Sequence, residues 1–197
     1  MPPVTRSLLI INALVYLLQM LGANDVLIVQ FALWPLGSSS IGAGFNPWQL
    51  LTYAFLHGSI AHIGLNMLAL WMFGADVERT LGSRRFIVYY TVCVVVAGVF
   101  QLVVAGVAGA EPYPTLGASG GVFGILLAFA MFYPRRIIML IFPPIPMPAW
   151  LFVSLYAVIE LVLGVTGTQE GVAHFAHLGG MVGGWIMIER WRAQARG

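Results

Sequence analysis

Four side chains suited to acyl transfer stand in an otherwise apolar chain. Ser119 lies in TLGASGGVFG (115–124), His62 and Asn66 in AHIGLNML (61–68), and His177 in VAHFAHLGGMVGG (172–184). A serine hydroxyl cleaves an amide when a base lies within hydrogen-bond reach and donors await the developing oxyanion. His177 is the candidate base, and it must be neutral to accept the proton. His62, Asn66 and the backbone N–H of Ser119, at the positive end of a helix, are candidate oxyanion donors. No Asp or Glu on the segments carrying these four residues is placed to orient His177, and Glu170 lies nearer the loop. The economical expectation is a Ser–His dyad, with Phe123, one turn after Ser119, packed on the imidazole in place of a third carboxylate.

Those side chains need elements that bring them together, and composition says where. The chain has 197 residues, 60% hydrophobic and only 8% charged. A soluble domain carries about 25% charged residues, so this chain is expected to be integral to a membrane. All nine basic residues are Arg, and the net charge of +2 gives no sign of a nucleic-acid partner. Cys93 is the only cysteine, so no internal disulfide can form. The first apolar segment is read as a retained helix, because LGANDVL has no small-x-small cleavage pattern.

A membrane span takes about 20 mostly apolar residues. That predicts an all-α, polytopic bundle of six transmembrane helices forming one domain over 1–197, with no extra soluble domain. The helices fall at about 7–22, 59–73, 85–107, 119–133, 149–165 and 172–191, with a long loop in the stretch after Val26. On this map Arg6, Arg79, Arg84, Arg85, Arg135, Arg136, Arg190, Arg192 and Arg196 all fall on one side. Asp25, Glu111 and Glu170 fall on the other. The positive-inside rule then makes both termini cytoplasmic. This pattern and the short termini fit a multi-pass protein of a prokaryotic plasma membrane.

The helix carrying Ser119 must stop by Pro134. From Ser119 to Tyr133 it rises about 22 Å, against a hydrocarbon core about 30 Å thick, so Ser119 sits roughly 8 Å below the outer surface. EPYPTLGA must then dip into the protein, lining a water-accessible cavity that opens outward. His62 and Asn66, four apart, share a helix face. With His177 they reach a similar depth on the same side. Gly120 with Gly124, and Gly180 with Gly184, form small-xxx-small pairs that let helices approach closely. His177, Gly180 and Gly184 share one face.

Plainer readings stand beside this one. Ser119 alone is a helix cap, Asn66 alone is interhelical glue, and the glycine pairs alone are packing. A soluble nucleophile elbow needs a preceding strand, which is absent. His57, His62, His174 and His177 together suggest a metal or haem site, but no Cys joins them and no carboxylate sits at ligand spacing on the same faces. No metal or other cofactor is expected. Glu160 suggests a transporter relay, or a simple acceptor inside the bundle. A non-proteolytic scaffold that binds membrane helices is the main alternative to an enzyme.

The ordered set of motifs resembles the rhomboid intramembrane serine proteases over about residues 7 to 190. NPWQLLTYAFLHGSIAHIGLNMLALWMFGADVE looks like the first loop and second helix, with the H-x-x-x-N pair at His62 and Asn66. LGASGGVFG is similar to the family's G-x-S-G motif, spanning Gly117 and Gly120. VAHFAHLGGMVGG is similar to the sixth-helix motif. The resemblance implies Ser119 as nucleophile, His177 as base, and single-span membrane proteins in the lipid bilayer as substrates, cut within or near their spanning helix. It also implies that the fifth helix and the loop GTQEGVA control access. Many relatives carry Tyr at the position of Phe123.

Overall fold

The computed structural model describes residues 1–37, 43–108, 113–139, 144–167 and 173–196. Glu111, Glu170 and the expected helix start at Val172 lie outside the described residues, as does most of GTQEGVA. What is described is mostly helical.

Helix α1 (Pro3–Leu18) opens with proline, whose missing N–H is no loss in a first turn. No local side chain caps this end. The partner comes from Glu78, far along the chain. Its carboxylate accepts from Val4 N at 3.0 Å, from Thr5 N at 2.7 Å and from Thr5 Oγ1 at 2.7 Å. A fourth bond comes from Ser83 Oγ at 2.7 Å. Buried negative charge at a helix N-terminus also meets the positive end of the helix dipole. Helix α1 gives way to a wide turn, Gln19–Ala23, broken by Gly22 at φ 103°. The chain then resumes as α2 (Asn24–Phe31). This corrects the loop expected from Val26. The stretch lacks buried residues, so no burial pattern marked it as helical.

Helix α3 (Ile60–Leu81) begins at Ser59, whose Oγ accepts from His62 N at 3.1 Å. It runs past the expected end near Phe73, through a wider turn at Leu70–Gly74, to Gly82 at φ 76°. The charges Asp76, Glu78 and Arg79 end the apolar stretch but not the helix. Helix α4 (Ser83–Ala108) and helix α5 (Ser119–Phe132) follow. Strands β1 (Ile137–Met139) and β2 (Pro146–Pro148) pair antiparallel, with Ile138 opposite Met147. This small hairpin corrects the purely helical expectation. Helix α6 (Ala149–Thr166) and helix α7 (His174–Gln194) complete the chain.

Among the described residues four stretches, Pro3–Phe31, Ile60–Leu81, Ser83–Val107 and Ala149–Thr166, are long and apolar enough to cross a membrane. Leu14, Leu65, Val103, Trp150, Leu161 and Trp185 are exposed on the outer surface, as lipid-facing side chains are. Helix α5 is the reverse case. Ten of its 14 residues are buried, so it lies at the centre, packed against α4 and α7, which also pack on each other. Its length corresponds to about 21 Å, too short for the hydrocarbon core.

The backbone leading into α5 is tied down by backbone bonds at Thr115 and Gly117. Leu33 and Thr115 exchange both backbone bonds at 2.9 Å, and Gly117 N donates to Tyr53 O at 2.9 Å. The segment before Ser119 is thereby fixed to two separate parts of the chain.

Replacing Glu78 by Ala is expected to destabilise the protein by about 2–4 kcal/mol, because buried donors lose a charged acceptor. Unfolding of the purified protein in detergent measures this. An unchanged midpoint would contradict the capping role.

Candidate active site

Ser119 is the first residue of α5, one past the cap position held by Ala118. Its Oγ lies 2.9 Å from His177 Nε2. The two side chains are held in register by the glycines below them. A Cβ on Gly180 would collide with the carbonyl oxygen of Gly120, so α5 and α7 touch backbone to backbone there. Gly124 and Gly184 serve a third helix as well. A Cβ on Gly124 would strike Cys93 of α4 and approach Gly180 O at 3.1 Å, and one on Gly184 would strike Tyr89. The expected two-helix seam is therefore a three-helix junction. Tyr89 OH donates to Gly124 O at 2.6 Å and ties α4 to it.

His177 is buried and stacked against an aromatic ring. Phe123 stacks on its ring at 4.2 Å between centroids and 5° between planes. Tyr156 of α6 covers the other face of Phe123 at 5.3 Å. The sequence provided no carboxylate for His177; the structure brings one from α6. Glu160 Oε2 lies 2.9 Å from His177 Nδ1 and 2.6 Å from His174 Nδ1. Glu160 is itself buried. A carboxylate accepts, so both Nδ1 atoms carry the proton in this arrangement. His177 Nε2 is then left as the acceptor facing Ser119 Oγ.

His62 approaches from α3. A Cβ on Gly117 would lie 2.7 Å from His62 Nε2 and 3.6 Å from Ser119 Oγ. Gly117, at φ 127°, thus lets the His62 ring close on the backbone beside Ser119, where a side chain would overlap it. Gly58 N donates to His62 Nδ1 at 3.5 Å, the long end of such a bond. That orientation leaves the His62 proton on Nε2, the nitrogen on the Gly117 side. Asn66 is buried on the same face, but its amide donates to His62 O at 3.1 Å within its own helix. His57 packs edge-on against His62 at 5.1 Å between centroids. Its backbone is held at both ends by Gln19, which accepts from His57 N at 3.0 Å and donates to His57 O at 3.1 Å. Burial, with His62 alongside, lowers the His57 pKa to about 4, so it is neutral at pH 7.

The sequence has counterparts among known proteins. The sequence profile of the Rhomboid domain matches residues 44–191. The chain belongs to the rhomboid family. It is 31% identical over 141 residues to rhomboid protease GluP of Bacillus subtilis, covering 71% of this chain and 25% of that protein. It is 36% identical over 144 residues to the mitochondrial rhomboid protein 1 of Saccharomyces cerevisiae, covering 71% and 41%. Over 189 residues it is 28% identical to rhomboid protease GlpG of Yersinia pestis, covering 94% and 61%. This rhomboid chain therefore spans between a quarter and about three-fifths of the length of these relatives.

Glu160, His174 and His177 also form a cluster whose ligand atoms lie within 4.8 Å of one another. The carboxylate comes from α6 and not from the helix faces that carry the histidines, where none was expected. The cluster's internal distances are those of hydrogen bonds. Ligands about 2.0–2.1 Å from a tetrahedral zinc stand about 3.3 Å apart, whereas Glu160 Oε2 is 2.6 and 2.9 Å from the two ring nitrogens. Of the residues the sequence singled out, Ser119, His177, Phe123, Gly117 and His62 converge, while Asn66 is adjacent with its amide turned away. Gln19, Tyr156 and the seat of Glu160 were missed. The available signal for Glu160 was its place as a lone carboxylate in AWLFVSLYAVIELVLGVT, since ionisable groups in apolar spans are usually functional.

Gly117→Ala places a methyl group in overlap with the His62 ring beside Ser119 and so displaces that ring. It is expected to lower hydrolysis at least about 10²-fold, the scale of losing an oxyanion donor. Turnover of a fluorogenic transmembrane peptide, beside the unfolding midpoint, checks this. Wild-type turnover would contradict the role of Gly117 in seating His62 beside Ser119.

Proposed function

We propose that this rhomboid is an intramembrane serine endopeptidase that cleaves single-span membrane proteins within or near their spanning helix. The observation that carries the reading is the 2.9 Å contact between Ser119 Oγ and His177 Nε2, below the start of a helix too short to span. The protease names of two relatives, GluP and GlpG, support it. In this reading the bundle has six transmembrane helices. Both termini are cytoplasmic, the site opens to the extracytoplasmic side, and the membrane is a prokaryotic plasma membrane. The one-sided placement of nine arginines supports that orientation.

The chemistry follows from the contacts. His177 Nε2 takes the Ser119 proton as Oγ attacks the scissile carbonyl carbon, and the carbonyl π electrons move to oxygen. The oxyanion is met by Nε2–H of His62 and the N–H groups at the start of α5 as donors. His177 then protonates the leaving amine, and the C–N bond breaks to give an acyl-Ser119 ester. Water entering from the outer side attacks that ester, again with His177 as base. Asn66 contributes after rotating its amide, so its effect is secondary.

Ser119→Ala and His177→Ala are each expected to abolish cleavage of a transmembrane substrate in proteoliposomes, with the fold retained in detergent. Asn66→Ala is expected to lower turnover by a smaller factor, about tenfold, because backbone donors remain. An active Ser119→Ala protein would sink the mechanism. A folded wild-type chain that binds transmembrane peptides without cleaving them would favour a scaffold.

A further inference from the structure

Helix α6 is the least enclosed of the helices around the site. Only Ala149, Val153 and Glu160 are buried on it. Two of these are apolar, and the third is a carboxylate, the most costly group to hold there without partners. Phe152, Tyr156 and Glu160 are spaced four apart and so share one face of α6. Phe152 stacks on Tyr156, Tyr156 on Phe123 and Phe123 on His177. That face therefore meets His177 twice, through the ring stack and directly through the carboxylate. A group serving only to fasten α6 has no need to place one oxygen on Nδ1 of the histidine whose other nitrogen faces Ser119.

We propose that Glu160 is the positioning residue of His177: its carboxylate fixes the Nδ1–H tautomer, aims Nε2 at Ser119 Oγ, and stabilises the imidazolium that forms during attack. The inference rests on the hydrolase reading of Ser119 and His177. It replaces a dyad oriented by stacking alone with one oriented by a carboxylate from another helix, while Ser119 and His177 remain the pair that exchanges the proton. His174 Nδ1, on the same oxygen at 2.6 Å, holds the carboxylate against rotation. Phe123 holds the ring plane, and Glu160 sets which way the ring points within it. Because Glu160 belongs to α6, the base is correctly set only while α6 is seated against α7.

The test uses the full chain in proteoliposomes with a fluorogenic transmembrane peptide. Glu160→Gln keeps the shape and an acceptor but removes the charge. It is expected to lower kcat by at least about 30-fold with KM within about twofold, less than the loss on amide replacement of a triad carboxylate in soluble serine proteases. Glu160→Ala is expected to lose at least as much and to regain about fivefold or more in formate, which supplies a carboxylate to the vacated space. Formate should do nothing for Ser119→Ala. The chain has only four histidines, so 15N spectra of ring-labelled protein can resolve His177, protonated at Nδ1 in the wild type and mixed in Glu160→Gln. A Glu160→Gln variant with kcat within threefold of wild type and an unchanged His177 tautomer would overturn the proposal. So would a loss confined to KM with no response to formate. A wild-type chain that is folded but inactive overturns the hydrolase reading instead, and the tautomer comparison still decides the role of Glu160.

Discussion

The contact on which the rest of the site depends is the approach of α5 and α7 at Gly120 and Gly180, where even one methyl would overlap a carbonyl oxygen. Hydrophobic burial cannot drive this approach in a bilayer, because lipid is as apolar as the side chains it would replace. Close packing of small residues drives it instead. Ser119 stands one residue before Gly120, and His177 stands three before Gly180, nearly one turn away. The spacing of the helices is therefore the spacing of nucleophile and base. Tyr89, Tyr90 and Cys93 of α4 fill the space left by Gly121, Gly124 and Gly184, so the junction is closed on its third side.

A second constraint is that each polar group at depth must find a partner inside the protein. Most of those partners are distant in sequence. Glu78 caps α1 from 73 and 74 residues away. Gln19 holds the backbone of His57 from 38 residues away. Leu33 and Thr115 pair four residues before Ser119. These bonds do two things at once. They remove the cost of exposing polar backbone to hydrocarbon, and they leave each catalytic candidate few orientations. Helix α6 differs, since its polar attachment to the site runs through Glu160 alone among its buried residues.

Much of this was legible in the sequence because the relevant spacings are local. Small residues four apart predicted close helix contact, the four-residue gap of His62 and Asn66 predicted a shared face, and Pro134 limited the helix of Ser119. The missing part is what local spacing cannot carry. The rotation of α6 about its axis is set by packing, so nothing in AWLFVSLYAVIELVLGVT said that Glu160 faced inward onto His177. The helical stretch after Gly22 and the continuation of α3 to Leu81 were missed because hydropathy marks where a span ends, not where a helix ends. The direction of the Asn66 amide, turned back to His62 O, depends on a single side-chain rotamer and leaves no trace in composition.

The central claim is that Ser119 is made nucleophilic by His177. It is tested most directly by treating the folded protein in detergent with a fluorophosphonate and locating the adduct by mass spectrometry. The account predicts one modified residue, Ser119, in the wild type and no modification in His177→Ala. Modification elsewhere, or equal labelling of Ser119 with His177 removed, would contradict it.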